Sequence, residues 1–136
     1  MPDQQLLNGI LPVQHLQQAI HDGVILAEQQ IIPAQLQPAS LDLRLATEAW
    51  RVQASFLPGH TMTVADKLAK FAMHKIDLTD GAVLERGCVY IVKLQESLRL
   101  PKGVTAMANP KSSPGRLDIF TRLICDYAAE FESVVG

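Results

Sequence analysis

Between residues 76 and 124 the chain reads as a series of short apolar runs: Ile76-Asp77-Leu78, Ala82-Val83-Leu84, Cys88-Val89-Tyr90-Ile91-Val92-Lys93-Leu94, Thr105-Ala106-Met107-Ala108 and Leu117-Asp118-Ile119-Phe120-Thr121-Arg122-Leu123-Ile124. Asp80-Gly81, Arg86-Gly87, Pro101-Lys102-Gly103 and Pro114-Gly115 divide them. Each divider carries a residue suited to a tight turn, either glycine, which tolerates positive φ, or proline, whose φ is preset. The runs are too short for helices and favour β-branched and aromatic residues. Short strands punctuated in this way predict a mainly β domain of barrel or jelly-roll type.

Upstream, two short helices are expected. Pro12 at a first helical position, the stripe Val13, Leu16 and Ile20, and Gly23 just past the end predict one near the N-terminus. Thr63 as a cap before Val64, Leu68 and Phe71 predicts another, ending near His74. Between them, residues 36–45 alternate with period two: Ala39, Leu41, Leu43 and Leu45 on one side, Ser40, Asp42 and Arg44 on the other. This predicts the first strand, with Asp42 and Arg44 on a solvated face. Trp50 and Tyr90 read as core and sheet packing, His60 and His74 as surface and strand-edge residues, and Pro58-Gly59 as a surface loop.

At 136 residues the sequence suits one domain, 1–136, with a single core. A net charge of −2 leaves no broad basic face, so nucleic acid is not an expected partner. No apolar run reaches the length of a membrane span, and Met1-Pro2-Asp3-Gln4-Gln5 lacks a signal-peptide pattern, so the expected location is the cytoplasm. Cys88 and Cys125 have no metal-ligand spacing and read as small buried residues in a reducing compartment. The final Phe131-Glu132-Ser133-Val134-Val135-Gly136 rises in apolarity as if entering another strand. C-terminal strands are therefore expected to be missing, with the open edge completed by further chain or by a partner.

Asn109-Pro110-Lys111-Ser112-Ser113-Pro114-Gly115-Arg116-Leu117 sets two hydroxyls between two cations. Both serines can donate to phosphate oxygens, Lys111 supplies a point charge, and the Arg116 fork can take two oxygens at once. Composition alone also fits an ordinary surface turn. Taken in order with Gln37-Pro38-Ala39-Ser40-Leu41-Asp42-Leu43-Arg44-Leu45, Gly87-Cys88-Val89-Tyr90-Ile91 and Glu96-Ser97-Leu98-Arg99-Leu100-Pro101, this stretch resembles the dCTP deaminase family, over most of the chain. Lys111, where the family usually has arginine, and Asn109-Pro110 are similar to the longer, two-module bacterial form, whose N-terminal module this chain would be.

The resemblance implies a distorted dUTPase-like β-barrel assembled as a trimer or, through tandem modules, a pseudo-trimer. It implies conversion of dCTP and water to dUTP and ammonia, with magnesium carried on the nucleotide phosphates. Lys111, Ser112, Ser113 and Arg116 match the triphosphate loop, with Ser112 and Arg116 ranked as the catalytic candidates. Asp126 falls where the family positions sugar and base, although the family's turn at that point is not reproduced. On the strand of Asp42 and Arg44, the family's polar face braces a neighbouring subunit's site. Zinc deamination needs His-x-Glu with Pro-Cys-x-x-Cys, and neither occurs, so the expected attack on C4 is metal-free and no zinc is expected. The family's general base is a glutamate in an apolar strand beyond this triphosphate loop, the phosphate cradle at residues 111–116; Glu130 and Glu132 do not lie in such a strand, and no base is assigned. Two alternatives stand beside deamination: a dUTP diphosphatase or bifunctional enzyme, and a non-catalytic nucleotide-binding or assembly module.

Overall fold

The computed structural model describes residues 9–135. They form two compact units, one from residues 9–44 with 94–99 and the other from 45–93 with 100–135. Strand residues outnumber helical ones, in small antiparallel sheets, and no barrel closes among the described residues.

The first unit contains helix α1 (Val13–His21), strand β1 (Ile25–Ala27), a single 3-10 turn at Pro33–Gln35 and strand β5 (Glu96–Leu98). Pro12 is the residue before α1 rather than its first, a shift of one position from the sequence expectation. Beyond α1, Gly23 takes φ of 75° and closes the helix: its N–H donates to Ile20 and that of Val24 to Ala19. This Schellman ending turns the chain sharply into β1. There Ile25 lies opposite Leu98 and Ala27 opposite Glu96 in an antiparallel pair.

The strand expected over 36–45 does not form. Leu36 and Leu41 make an isolated bridge around a turn in which the Gln37 N–H donates to the Ser40 carbonyl at 2.9 Å. Pro38 lies in that turn and has no N–H for a ladder. Leu43 and Leu45 stay 40% and 60% exposed, and Arg44 points to a carboxylate instead of water.

That carboxylate belongs to Glu96, whose side chain is 1% exposed. Its Oε1 accepts from Arg44 Nε at 2.9 Å and from Gln35 Nε2 at 2.8 Å, while Oε2 accepts the Arg44 backbone N–H at 2.9 Å. Arg44 also donates through Nη2 to the carbonyl of Gln29, at 2.7 Å, and through Nη1 to that of Gln30, at 3.3 Å. Burial acts to raise the Glu96 pKa, yet the donors from Arg44 and Gln35 hold it below the ordinary carboxylate value.

The second unit is built on strand β2 (Leu45–Val52), flanked by β3 (Ala72–Asp77) on one side and β4 (Val89–Leu94) on the other. Helix α2 (Val64–Phe71) runs directly into β3. Thr63 caps it as expected: its hydroxyl accepts the Asp66 N–H while the Asp66 carboxylate accepts the Thr63 N–H, both at 3.1 Å. Pairing shifts at the end of β2, where Arg51 faces His74 but Val52 faces Ala72, so Met73 is bulged out. Ala46, Ala49, Val52 and Leu68 form its buried apolar core. A second small sheet pairs β6 (Thr105–Met107) with β7 (Ser133–Val135). The expected runs 82–84 and 117–124 are not strands, and Val83 is 92% exposed.

Replacing Glu96 by Leu leaves the Arg44 guanidinium without its carboxylate and is expected to cost about 2–3 kcal/mol, less than for a wholly buried pair because Arg44 is partly solvated. Urea denaturation measures it. Because the folded pKa of Glu96 lies below its unfolded value of about 4.3, its contribution is full above that pH and is lost as pH falls through the folded value. The decline of the urea midpoint below about pH 4.3 should therefore be shallower in Glu96→Leu than in the parent chain.

Candidate functional site

The cradle is a single helical turn, α3 (Ser112–Arg116), where sequence composition suggested a loop. Lys111 precedes it with extended backbone, and Arg116 is its last residue. Both cations are exposed at opposite ends of the turn. The side chains of Ser112 and Ser113 lie outside the described residues. At the far end the Asp118 N–H donates to Gly115 at 3.1 Å and the Ile119 N–H to Pro114 at 2.9 Å. Asp118 adopts φ of 58°, the left-handed conformation that glycine usually supplies in this ending. The result is a short cationic turn with fixed backbone ends, suited to an anion rather than to a bare metal ion.

Asp126, a sequence candidate for substrate binding, has a partner within the fold. Its Oδ1 accepts the Val64 N–H at 2.7 Å, at the start of α2. A carboxylate there satisfies a helix donor that has no intrahelical partner and complements the helix dipole. Two backbone bonds reinforce the join, Tyr127 N–H to Met62 and Gly59 N–H to Ala128, each 2.9 Å. Thus the Pro58-Gly59 loop is tied to the segment that follows the cradle. Burial, with Asp126 beside it, pushes the Cys125 thiol up, which keeps it protonated and unreactive.

Glu130 is exposed at a bend. Glu132 lies in the turn before β7, with its carboxylate 2.8 Å from Arg122 Nε. Among the described residues no group of three His, Cys, Asp or Glu side chains is arranged to hold a metal. The donors at the cradle are cationic, a set that fits phosphate oxygens and would repel a magnesium ion not already carried by them.

Compared with known protein families, residues 7–136 match the N-terminal domain of 2'-deoxycytidine 5'-triphosphate deaminase. The chain belongs to the dCTP deaminase family. Its fold is similar to the crystal structure of 2'-deoxycytidine 5'-triphosphate deaminase from Agrobacterium tumefaciens, with 52% sequence identity and a TM-score of 0.89 over 93% of this chain. The match spans 37% of that deaminase chain.

Sequence reading of this dCTP deaminase domain singled out Lys111 and Arg116 but gave no structural role to three polar residues that organise it. Gln35, Arg122 and Glu132 each act through partners distant in sequence or across a turn, which local patterns do not reveal. Glu96 was visible only as a letter in a family motif; a charged residue at the start of a short apolar strand was the available signal. Arg44 was expected on a solvated face and instead serves Glu96. Trp50, expected in the core, is half-buried with Lys75 Nζ 5.7 Å from its ring centroid. Cys88 is also half-buried and accepts from Arg51 at 3.1 Å.

Relieving the left-handed strain at the end of α3 should stabilise the domain. Asp118→Gly is expected to raise stability by about 0.5–1 kcal/mol, read as a higher thermal midpoint.

Proposed function

We propose that this chain is the triphosphate-gripping N-terminal module of a dCTP deaminase, and that residues 111–116 hold the tail of dCTP. The carrying observation is the exposed pair Lys111 and Arg116, set at the two ends of one helical turn. Lys111 supplies charge, Arg116 a planar fork, and Ser112 and Ser113 hydroxyl donors in the family's order. Ser112 and Arg116 are the catalytic candidates by that match. Magnesium enters on the phosphates, where it neutralises part of their charge.

In the whole enzyme, water adds at C4 of the cytosine ring and the amino group departs as ammonia, giving dUTP. A general base is required to take the water's proton. No base is assigned among residues 117–136: Glu130 is exposed at a bend and Glu132 is engaged by Arg122. The residues assigned here therefore account for nucleotide binding, and none of them for the base. This also supports the second reading, a nucleotide-binding or assembly module. Hydrolysis of dUTP ranks below both, since Asp126, the aspartate nearest β7 in sequence, is committed to α2.

The proposed reading of 1–136 as one dUTPase-like unit is supported by the family match. So is assembly as a trimer, or a pseudo-trimer of tandem modules. Leu117 and Phe120, exposed by 72% and 88% directly after the cradle, support a covered surface there. A cytoplasmic setting follows the family; among the described residues no helix is long and apolar enough to cross a membrane.

Incubation with dCTP and magnesium, following ammonia and pyrophosphate separately, tests the activity. The expected result is binding with neither product from this chain alone. Ammonia would locate a complete deaminase site within it, and pyrophosphate would favour hydrolysis. Arg116→Ala is expected to weaken dCTP binding by ~1.5–3 kcal/mol in calorimetric titration. Unchanged affinity would reduce the cradle to an ordinary turn.

A further inference from the structure

Glu132 joins the segment that approaches the cradle to the segment that leaves it. Its carbonyl accepts the Ala108 N–H at 2.9 Å, just ahead of Asn109-Pro110-Lys111. Its own N–H donates to the Leu123 carbonyl, also at 2.9 Å, on the far side of α3. From Glu132 onward the chain pairs with β6, Ser133 opposite Met107 and Val134 opposite Ala106. Three stretches of backbone thus converge on one residue.

Glu132 holds φ of 64°, a conformation that non-glycine residues adopt only when their surroundings impose it. Its two backbone hydrogen bonds hold that conformation, and Arg122 adds a side-chain contact. Its Nε lies 2.8 Å from Glu132 Oε1, and its guanidinium carbon lies 4.9 Å from the centroid of the Phe131 ring. One cation therefore grips both the carboxylate and the aromatic face of neighbouring residues. Because Arg122 leaves the cradle on the same segment as Leu123, this grip fixes where that segment returns.

We propose that Arg122 and Glu132 are positioning residues for the triphosphate loop: their ion pair holds the approach and exit of α3 at the separation that sets Lys111 against Arg116. Neither side chain needs to touch the nucleotide. The inference rests on the nucleotide reading above. A partly exposed pair contributes little to global stability, so its loss should loosen the cradle without unfolding the domain. Preorganisation of this kind appears as affinity, because a loop already in its bound geometry loses less freedom on binding.

The test is titration of dCTP with magnesium into the parent chain and into Arg122→Met, Arg122→Lys and Glu132→Gln. Arg122→Met and Glu132→Gln are each expected to raise Kd about three- to tenfold with thermal midpoints nearly unchanged. Arg122→Lys, which keeps the cation, should recover most of the loss, and the double variant Arg122→Met/Glu132→Gln should be little worse than either single one. Amide exchange at residues 111–117 in the unliganded chain should accelerate in Arg122→Met.

If Arg116→Ala weakens binding while Arg122→Met leaves Kd within about twofold, the positioning role is overturned. It is also overturned if Arg122→Lys is as weak as Arg122→Met, since packing rather than charge would then matter. If Arg116→Ala has no effect, the nucleotide reading itself fails, and amide exchange alone decides the ion pair: unchanged rates at 111–117 reject it.

Discussion

Apolar burial is scarce in this chain, and polar contacts do the positioning that a larger core would otherwise do. Among the described residues of the second unit the buried apolar side chains are two alanines, a valine, a leucine and Pro58, the last expected from sequence at the surface, while Leu117, Phe120, Met107 and Val83 face water. A core that small cannot by itself hold loops in place. Backbone placement falls instead to turn motifs and buried or half-buried charges. Glu96 shows the principle in the first unit, where one carboxylate gathers Arg44 and Gln35, and Arg44 in turn gathers two carbonyls. A carboxylate so placed is costly unless every lone pair is used, and here donors meet both oxygens.

Around the cradle the same economy recurs. The turn of α3 is closed by its own backbone through Asp118 and Ile119, Asp126 ties the following segment to α2, and Glu132 ties it to β6. The cations are thus presented on a frame of hydrogen bonds. A turn proposed to bind an anion gains from this arrangement because the backbone beneath its exposed cations stays fixed. Membership of the dCTP deaminase family and the likeness to the Agrobacterium tumefaciens enzyme support the proposal that this turn takes a nucleotide triphosphate.

Local chemistry made part of this legible from sequence. Gly23 ending α1, the Thr63 cap of α2 and the apolar run of β4 were readable because each depends on neighbours in the chain. Alternating leucines at 36–45 were misleading, since Pro38 turns the chain before a ladder can form. The real strand, β2, was passed over because its buried residues Ala46, Ala49 and Val52 recur every third position rather than every second. Runs 82–84 and 117–124 had the composition of strands but lack pairing among the described residues, and composition does not supply a partner. In the candidate site, Lys111 and Arg116 were singled out by two hydroxyls between two cations and by the family resemblance. The roles of Asp126, Arg122 and Glu132 depend on contacts between turns, or on backbone geometry within one, which no periodicity records.

A crystal structure of this chain grown with dCTP and magnesium tests the central claim most directly. The account predicts the triphosphate seated against residues 111–116, with Lys111 and Arg116 in contact with its oxygens. A nucleotide bound with its phosphates elsewhere, or none bound at a dCTP concentration that saturates the chain in solution, would contradict it.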